Sequence, residues 1–172
     1  MEPPYLPIGF QSGLVLGEKV SLASTYRFSL GHFSSEVFTT SNGLGMTPIT
    51  VIETSPGQLE GNSCYYVYGR ILARRYPMGP GFHADRTIPM TSRPGSQFQA
   101  ASQDYVLVTS IGRVLECYFS DQRMRWVVKE RMGELGVGTF EVGSILSFDG
   151  HLIGYAAGSD KWTINAIAGP DH

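Results

Sequence analysis

Charge is scarce in this sequence. Charged residues make up 16% of its 172 positions, with 13 lysines and arginines against 15 aspartates and glutamates. The formal net charge of -2 points away from a nucleic-acid binder or a polybasic membrane anchor. No apolar run approaches the roughly 20 residues of a membrane helix. Neither nucleic acid nor membrane is therefore an expected partner. Cysteine is nearly absent. Cys64 and Cys117 are too few for the disulfide framework of small secreted domains. Both lie in apolar, strand-like runs and read as small buried hydrophobes. His32, His83, His151 and His172 show no ligand spacing, so no metal and no cofactor is expected. The start, Met1-Glu2-Pro3-Pro4-Tyr5-Leu6-Pro7, has no basic segment and no continuous apolar segment of a signal peptide. The chain reads as cytoplasmic.

What is present is the composition of an all-β protein. There are 21 glycines, 10 prolines and 12% aromatics, with valine, threonine, tyrosine and phenylalanine in short runs between turn residues. A single β domain over 1–172 is expected, with tails at 1–11 and 169–172. Expected strands in the first half are 14–22, 26–30, 33–39, 48–53 and 64–76. The stretch 77–102 carries Pro77, Pro80, Pro89 and Pro94 and reads as one long loop, with a short strand near 87–90. Within it, His83 and Asp85 read as a surface histidine beside an aspartate. The second half offers strands at 105–111, 113–119, 124–131, 140–148, 151–157 and 162–168. Gly112 and the Asp149-Gly150 turn separate them, the latter a strong hairpin signal. Met124, Val127, Val128 and Met132 also fit a helical stripe, but the β-branched pair Val127-Val128 favours strand.

Side chains alternate in a strand, so register decides which residues share a face. A four-residue loop between Phe119 and Met124 pairs those two. It sets Cys117 opposite Trp126, Leu115 opposite Val128 and Arg113 opposite Glu130. A turn at Asp149-Gly150 pairs Phe148 with His151. One apolar face then collects Leu146, Phe148, His151, Ile153, Tyr155, Trp162 and Ile164. Such a face must be covered. The expected architecture is an antiparallel meander closing into a small β-barrel, since closure removes exposed edges. A β-sandwich is one alternative. A loose likeness between 105–132 and 144–168 suggests partial propeller blades as another.

The segment Gly136-Val137-Gly138-Thr139-Phe140-Glu141-Val142-Gly143 does not fit a dinucleotide fingerprint, since its glycines are misplaced. It resembles the Gly-rich strand entry of allene oxide cyclase-like and other calycin-like barrels. That resemblance implies a cofactor-free barrel that folds a reactive apolar substrate towards cyclisation. The residues themselves suggest a pocket for an apolar small molecule. Polar tips on an apolar wall orient a guest, and His151, Tyr155 and Trp162 supply such a wall with Trp126 and Cys117. Cys64-Tyr65-Tyr66-Val67-Tyr68-Gly69-Arg70 places Tyr66, Tyr68 and Arg70 on one face. The candidate catalytic groups are Arg113, Glu130, Tyr68 and His151, which would polarise a carbonyl and move a proton. Trp126, Tyr155, Trp162, Tyr66 and Cys117 are the candidate ligand-binding residues. The expected activity is that of a cofactor-independent cyclase or isomerase. A lectin-like module, as a homo-oligomer, and a coat or assembly subunit are the rival readings.

Overall fold

A computed structural model describes residues 8–21, 30–40, 45–76, 79–90, 106–120, 125–130, 142–143, 145–158 and 161–167. Side chains are described over the same residues, except 73–76, 110, 112–120, 125–130, 145–146, 148 and 166–167. The described chain is all-β. Its strands are β1 (Ile8–Val15), β2 (His32–Thr39), β3 (Gly45–Glu53), β4 (Cys64–Tyr76), β5 (Gly79–Pro89), β6 (Leu107–Ser120), β7 (Arg125–Glu130), β8 (Ile145–Ala156) and β9 (Lys161–Ile167). They form one sheet in the order β2-β3-β5-β4-β1-β6-β8-β9, with β7 paired to β6. A single sheet replaces both the sandwich and the propeller alternatives.

The first five strands curl into a ring. β1 pairs antiparallel with β4 along its whole length, from Ile8 opposite Ile71 to Val15 opposite Cys64. Beyond Val15 the chain bonds to Ser63 and Asn62 just ahead of β4 and, from Gly17, runs along the free edge of β2. Gly17 donates to the Ser34 carbonyl (2.7 Å), Ser34 to Glu18 (3.1 Å) and Val20 to His32 (2.6 Å). β2 pairs with β3, β3 with β5 and β5 with β4, which returns to β1. The β3–β5 pairing is parallel, so the expected simple meander does not form. A five-stranded Greek-key barrel in this order has the arrangement of an OB-fold.

Alternation fills the ring. Phe33, Ser35 and Val37 on β2, Val51 and Ile49 on β3, and Tyr65 and Val67 on β4 are buried. Phe10 on β1 meets Phe82 on β5 edge to face, with ring centroids 4.7 Å apart. Trp162 on β9 packs edge-on against the same Phe82 ring at 5.7 Å. Val106 just before β6, Val108 on β6 and Leu152 on β8, all essentially unexposed, complete this cover.

Several sequence expectations are corrected. The supposed loop at 77–102 begins with β5, whose prolines sit where the ladder tolerates them: Pro80 near the start and Pro89 at the end. Residues 91–102 lie outside the described residues. The supposed tail contributes Ile8–Gln11 to β1. Gly112 and Asp149-Gly150 are not turns. β6 and β8 run straight through them, and buried Gly150 lies between Val108 and Ala166. The β6–β7 hairpin exists, but Phe119 pairs with Trp126 and Cys117 with Val128. Its connection joins Ser120 to Arg125, one residue later than expected, and a shift of one in the loop moves the register by two. An irregularity between Val114 and Glu116 then sets Glu130 opposite Val114, not Arg113. In β8 the core residue is Leu152, whereas His151, Ile153 and Tyr155 are only half-buried. Bulged pairing between Leu152 and Gly154 breaks the uniform alternation assumed for that strand.

One buried charge organises the end of the barrel. Glu53, 2% exposed, accepts from the backbone N–H of Gly31 (2.5 Å), Gly57 (3.3 Å) and Leu59 (3.3 Å). It thereby ties the chain entering β2 to the β3–β4 connection. A buried carboxylate is tolerated only with such partners. Gly31 has no space for a Cβ, which would collide with the Phe33 ring and this carboxyl. Removing the carboxylate leaves up to three donors unpaired, each costing about 1–3 kcal/mol. Glu53→Ala is therefore expected to lose about 3 kcal/mol in urea unfolding, and the isosteric Glu53→Gln less. A loss below about 1 kcal/mol in Glu53→Ala would contradict this role.

Candidate nucleic-acid interface

The outer face of β1, β4 and β5 collects the chemistry that the core excludes. In β4, Tyr65 and Val67 turn inward, and Tyr66, Tyr68 and Arg70 remain half-exposed on the outside. The register lines up three cross-strand rows. Gly13 pairs with Tyr66 and Tyr66 with Ile88; Gln11 with Tyr68 and Tyr68 with Arg86; Gly9 with Arg70 and Arg70 with His83. Two of the β1 positions beside these side chains are glycines, so the rings border a low floor. The Tyr66 and Tyr68 rings meet edge to face at 5.2 Å. The Arg86 guanidinium lies 5.6 Å from the centre of the Tyr68 ring, within range of a cation–π contact.

A bulge builds this surface. Tyr68 pairs with Arg86, but the next β4 residue, Gly69, pairs with Ala84. Asp85 is the extra residue. A bulge re-aims the side chains around it, and both Asp85 and Arg86 are exposed while Ala84 points into the core. Gly69 permits the close approach. A Cβ there would run into the His83 carbonyl and the Phe10 ring.

Arg70 grips the bulged carboxylate with two N–H groups, Nε to Oδ2 at 2.7 Å and Nη2 to Oδ1 at 2.6 Å. Its Nη2 also lies 3.0 Å from His83 Nδ1, and that nitrogen is 3.4 Å from Asp85 Oδ1. Hydrogen bonding from Arg70 holds Asp85 below the usual carboxylate range. The same bond raises the Arg70 guanidinium above its ordinary value. This pair stays accessible, with about four-tenths of each side chain exposed (44% and 38%).

The sequence-derived site divides. Tyr66 and Tyr68 stand together on this outer face. Tyr155 and Trp162 stand together elsewhere, with ring centroids 4.6 Å apart, and His151 is half-buried on β8 between Leu107 and Asn165. The side chains of Arg113, Cys117, Trp126 and Glu130 lie outside the described ones. Their backbones place Arg113 opposite Ile145 and Glu130 opposite Val114, so the supposed pair is not in register. Residues 136–141 of the glycine-rich segment lie outside the described residues, and Val142 and Gly143 form an exposed turn. Sequence reasoning missed His83, Asp85 and Arg86 as parts of one surface. The signal was local charge: residues 64–93 contain Arg70, Arg74, Arg75, Arg86 and Arg93 against Asp85 alone.

No family model matches the chain, and no curated protein matches it. The resemblance to allene oxide cyclase-like and calycin-like barrels thus gains no support beyond a curled β-sheet. Among solved structures, a deletion mutant of the single-stranded DNA binding protein from Thermus aquaticus is similar at 14% identity, with a TM-score of 0.42, over 86% of each chain. The expectations of an apolar small-molecule ligand and of no nucleic-acid partner are withdrawn. The barrel's inner face is occupied by Phe10, Phe82 and their neighbours, and the whole-chain charge behind the second expectation conceals the arginine-rich stretch 64–93. Among the described residues, no helix is long and apolar enough to cross a membrane.

The Arg70–Asp85 pair makes a prediction about acid. A depressed carboxylate contributes stability above its unfolded pKa, near 3.9, and loses it as pH falls through the lower folded value. An exposed pair contributes at most about 1 kcal/mol. Asp85→Asn is expected to lower stability by no more than that at pH 7. In urea unfolding the difference between the two proteins should shrink progressively as pH is lowered below about 4.

Proposed function

We propose that this protein binds single-stranded nucleic acid on the outer face of β1, β4 and β5. The carrying observation is the Tyr66–Tyr68 pair with Arg86 against the Tyr68 ring. Exposed rings on a sheet serve as platforms for unpaired bases, and neighbouring arginines hold the phosphates. Five arginines and one carboxylate between residues 64 and 93 give this stretch of sequence a formal charge of +4, from five minus one. The remaining chain is correspondingly acidic. A local field of this kind steers a polyanion despite a negative total.

The outer face of β2 and β3 is the poorer surface. It presents Glu36, Met46 and Pro48 as its exposed residues, and no arginine. Stacking on tyrosine rings is tolerant of base identity, so binding is expected to depend on strandedness more than on sequence. Stacking on an aromatic side chain contributes about 1–3 kcal/mol per base.

Fluorescence anisotropy with a labelled oligo(dT) tests the proposal. Tyr66→Ala and Tyr68→Ala should each weaken binding by roughly five- to a hundredfold, which is the equilibrium equivalent of that stacking energy. Arg86→Ala should flatten the salt dependence by about 0.7 in log–log slope, the contribution of one phosphate contact on a single strand. Duplex DNA should bind more weakly than the single strand. Unaltered affinity in both tyrosine variants would refute the assignment.

A further inference from the structure

We propose that Asp85 is a built-in competitor for a phosphate group, occupying the Arg70 guanidinium until nucleic acid displaces it. This rests on the nucleic-acid reading above and concerns the same face. Three observations carry it. First, Arg70 presents its fork edge to Asp85 in two-point geometry, the arrangement with which arginine also recognises phosphate. Second, the bulge leaves Asp85 as the residue of β5 outside the ladder with β4. Alternation already sets His83 and Asp85 on the outer face, and the extra residue brings Arg86 to that face as well. Third, the site is accessible, and Arg70 lies one row from Tyr68 on the same outer face. A base on Tyr68 would carry its phosphate within reach of the guanidinium.

The exchange is chemically simple. Asp85 carboxylate oxygens leave the two Arg70 N–H donors, phosphate oxygens take their place, and no covalent bond changes. Arg70 stays charged throughout. An exposed ion pair gains little over water, so a phosphate tethered by stacked bases displaces it readily, whereas a free anion does not. The device favours a stacked strand over stray anions at the same arginine.

The test compares the wild type with Asp85→Asn, which keeps the side-chain shape, and with Glu36→Gln. Glu36 is exposed on β2, and its replacement makes the same change in net charge outside the proposed face. Asp85→Asn should bind oligo(dT) about three- to tenfold more tightly, with a salt slope steeper by about 0.7. Glu36→Gln should change neither by as much. Equal gains in both variants would reduce the effect to net charge and overturn the proposal. So would weaker binding by Asp85→Asn, which would make Asp85 a support for Arg70. A second readout does not require nucleic acid. In NMR titrations with inorganic phosphate, the Arg70 Nε–H signal should shift at lower phosphate concentration in Asp85→Asn than in wild type. If oligo(dT) binds neither protein, the nucleic-acid reading fails, and the phosphate titration alone decides the competitor role. An Arg70 signal that responds identically in both proteins would overturn it.

Discussion

The hydrogen bonds from Gly17 and Val20 to Ser34 and His32 join the two ends of a five-strand sheet. Without them β2 would offer an unpaired edge, and Phe33, Val37 and Val51 would lie on an open surface. One continuous segment achieves the closure. It pairs with β4 through Val15 and then crosses to β2, so a single bend serves both sides of the ring. Glu53 fixes the neighbouring loops by binding three backbone N–H groups. Once the ring is shut, Phe10 and Phe82 occupy its interior, and the chemistry left for a partner is on the outside.

That outer chemistry depends on a local defect. Regular pairing of β4 with β5 would have separated neighbouring polar residues onto opposite faces. The bulge at Asp85 adds one residue and sets Asp85 and Arg86 on the exposed side beside Arg70 and Tyr68. Gly69 admits the close backbone approach that the bulge requires. Fold and surface are therefore coupled through one glycine that makes no polar contact with its side chain, having none.

Part of this was legible before any coordinates. Alternation in Cys64-Tyr65-Tyr66-Val67-Tyr68 separates the inner from the outer residues because period two is a local property of a strand. The all-β class follows from composition for a similar reason. β5 was hidden because Gly79, Pro80 and Gly81 look like loop residues, yet a strand flanked by β3 and β4 accommodates them near its start. Asp149-Gly150 gives the opposite error. It has the residues of a turn, but Gly150 is buried within β8, which pairs on both sides. The parallel β3–β5 contact joins residues distant in sequence, which no local pattern encodes. The whole-chain charge concealed the arginine-rich stretch because a sum carries no position.

The most direct test is a map of where a single strand touches the protein. A titration of isotope-labelled protein with oligo(dT), followed by NMR, should shift the signals of Tyr66, Tyr68, Arg70 and Arg86 together. The signals of Glu36, Met46 and Pro48 on the β2–β3 face should stay in place. Shifts confined to β2 and β3, or no saturable shift at all, would contradict the account.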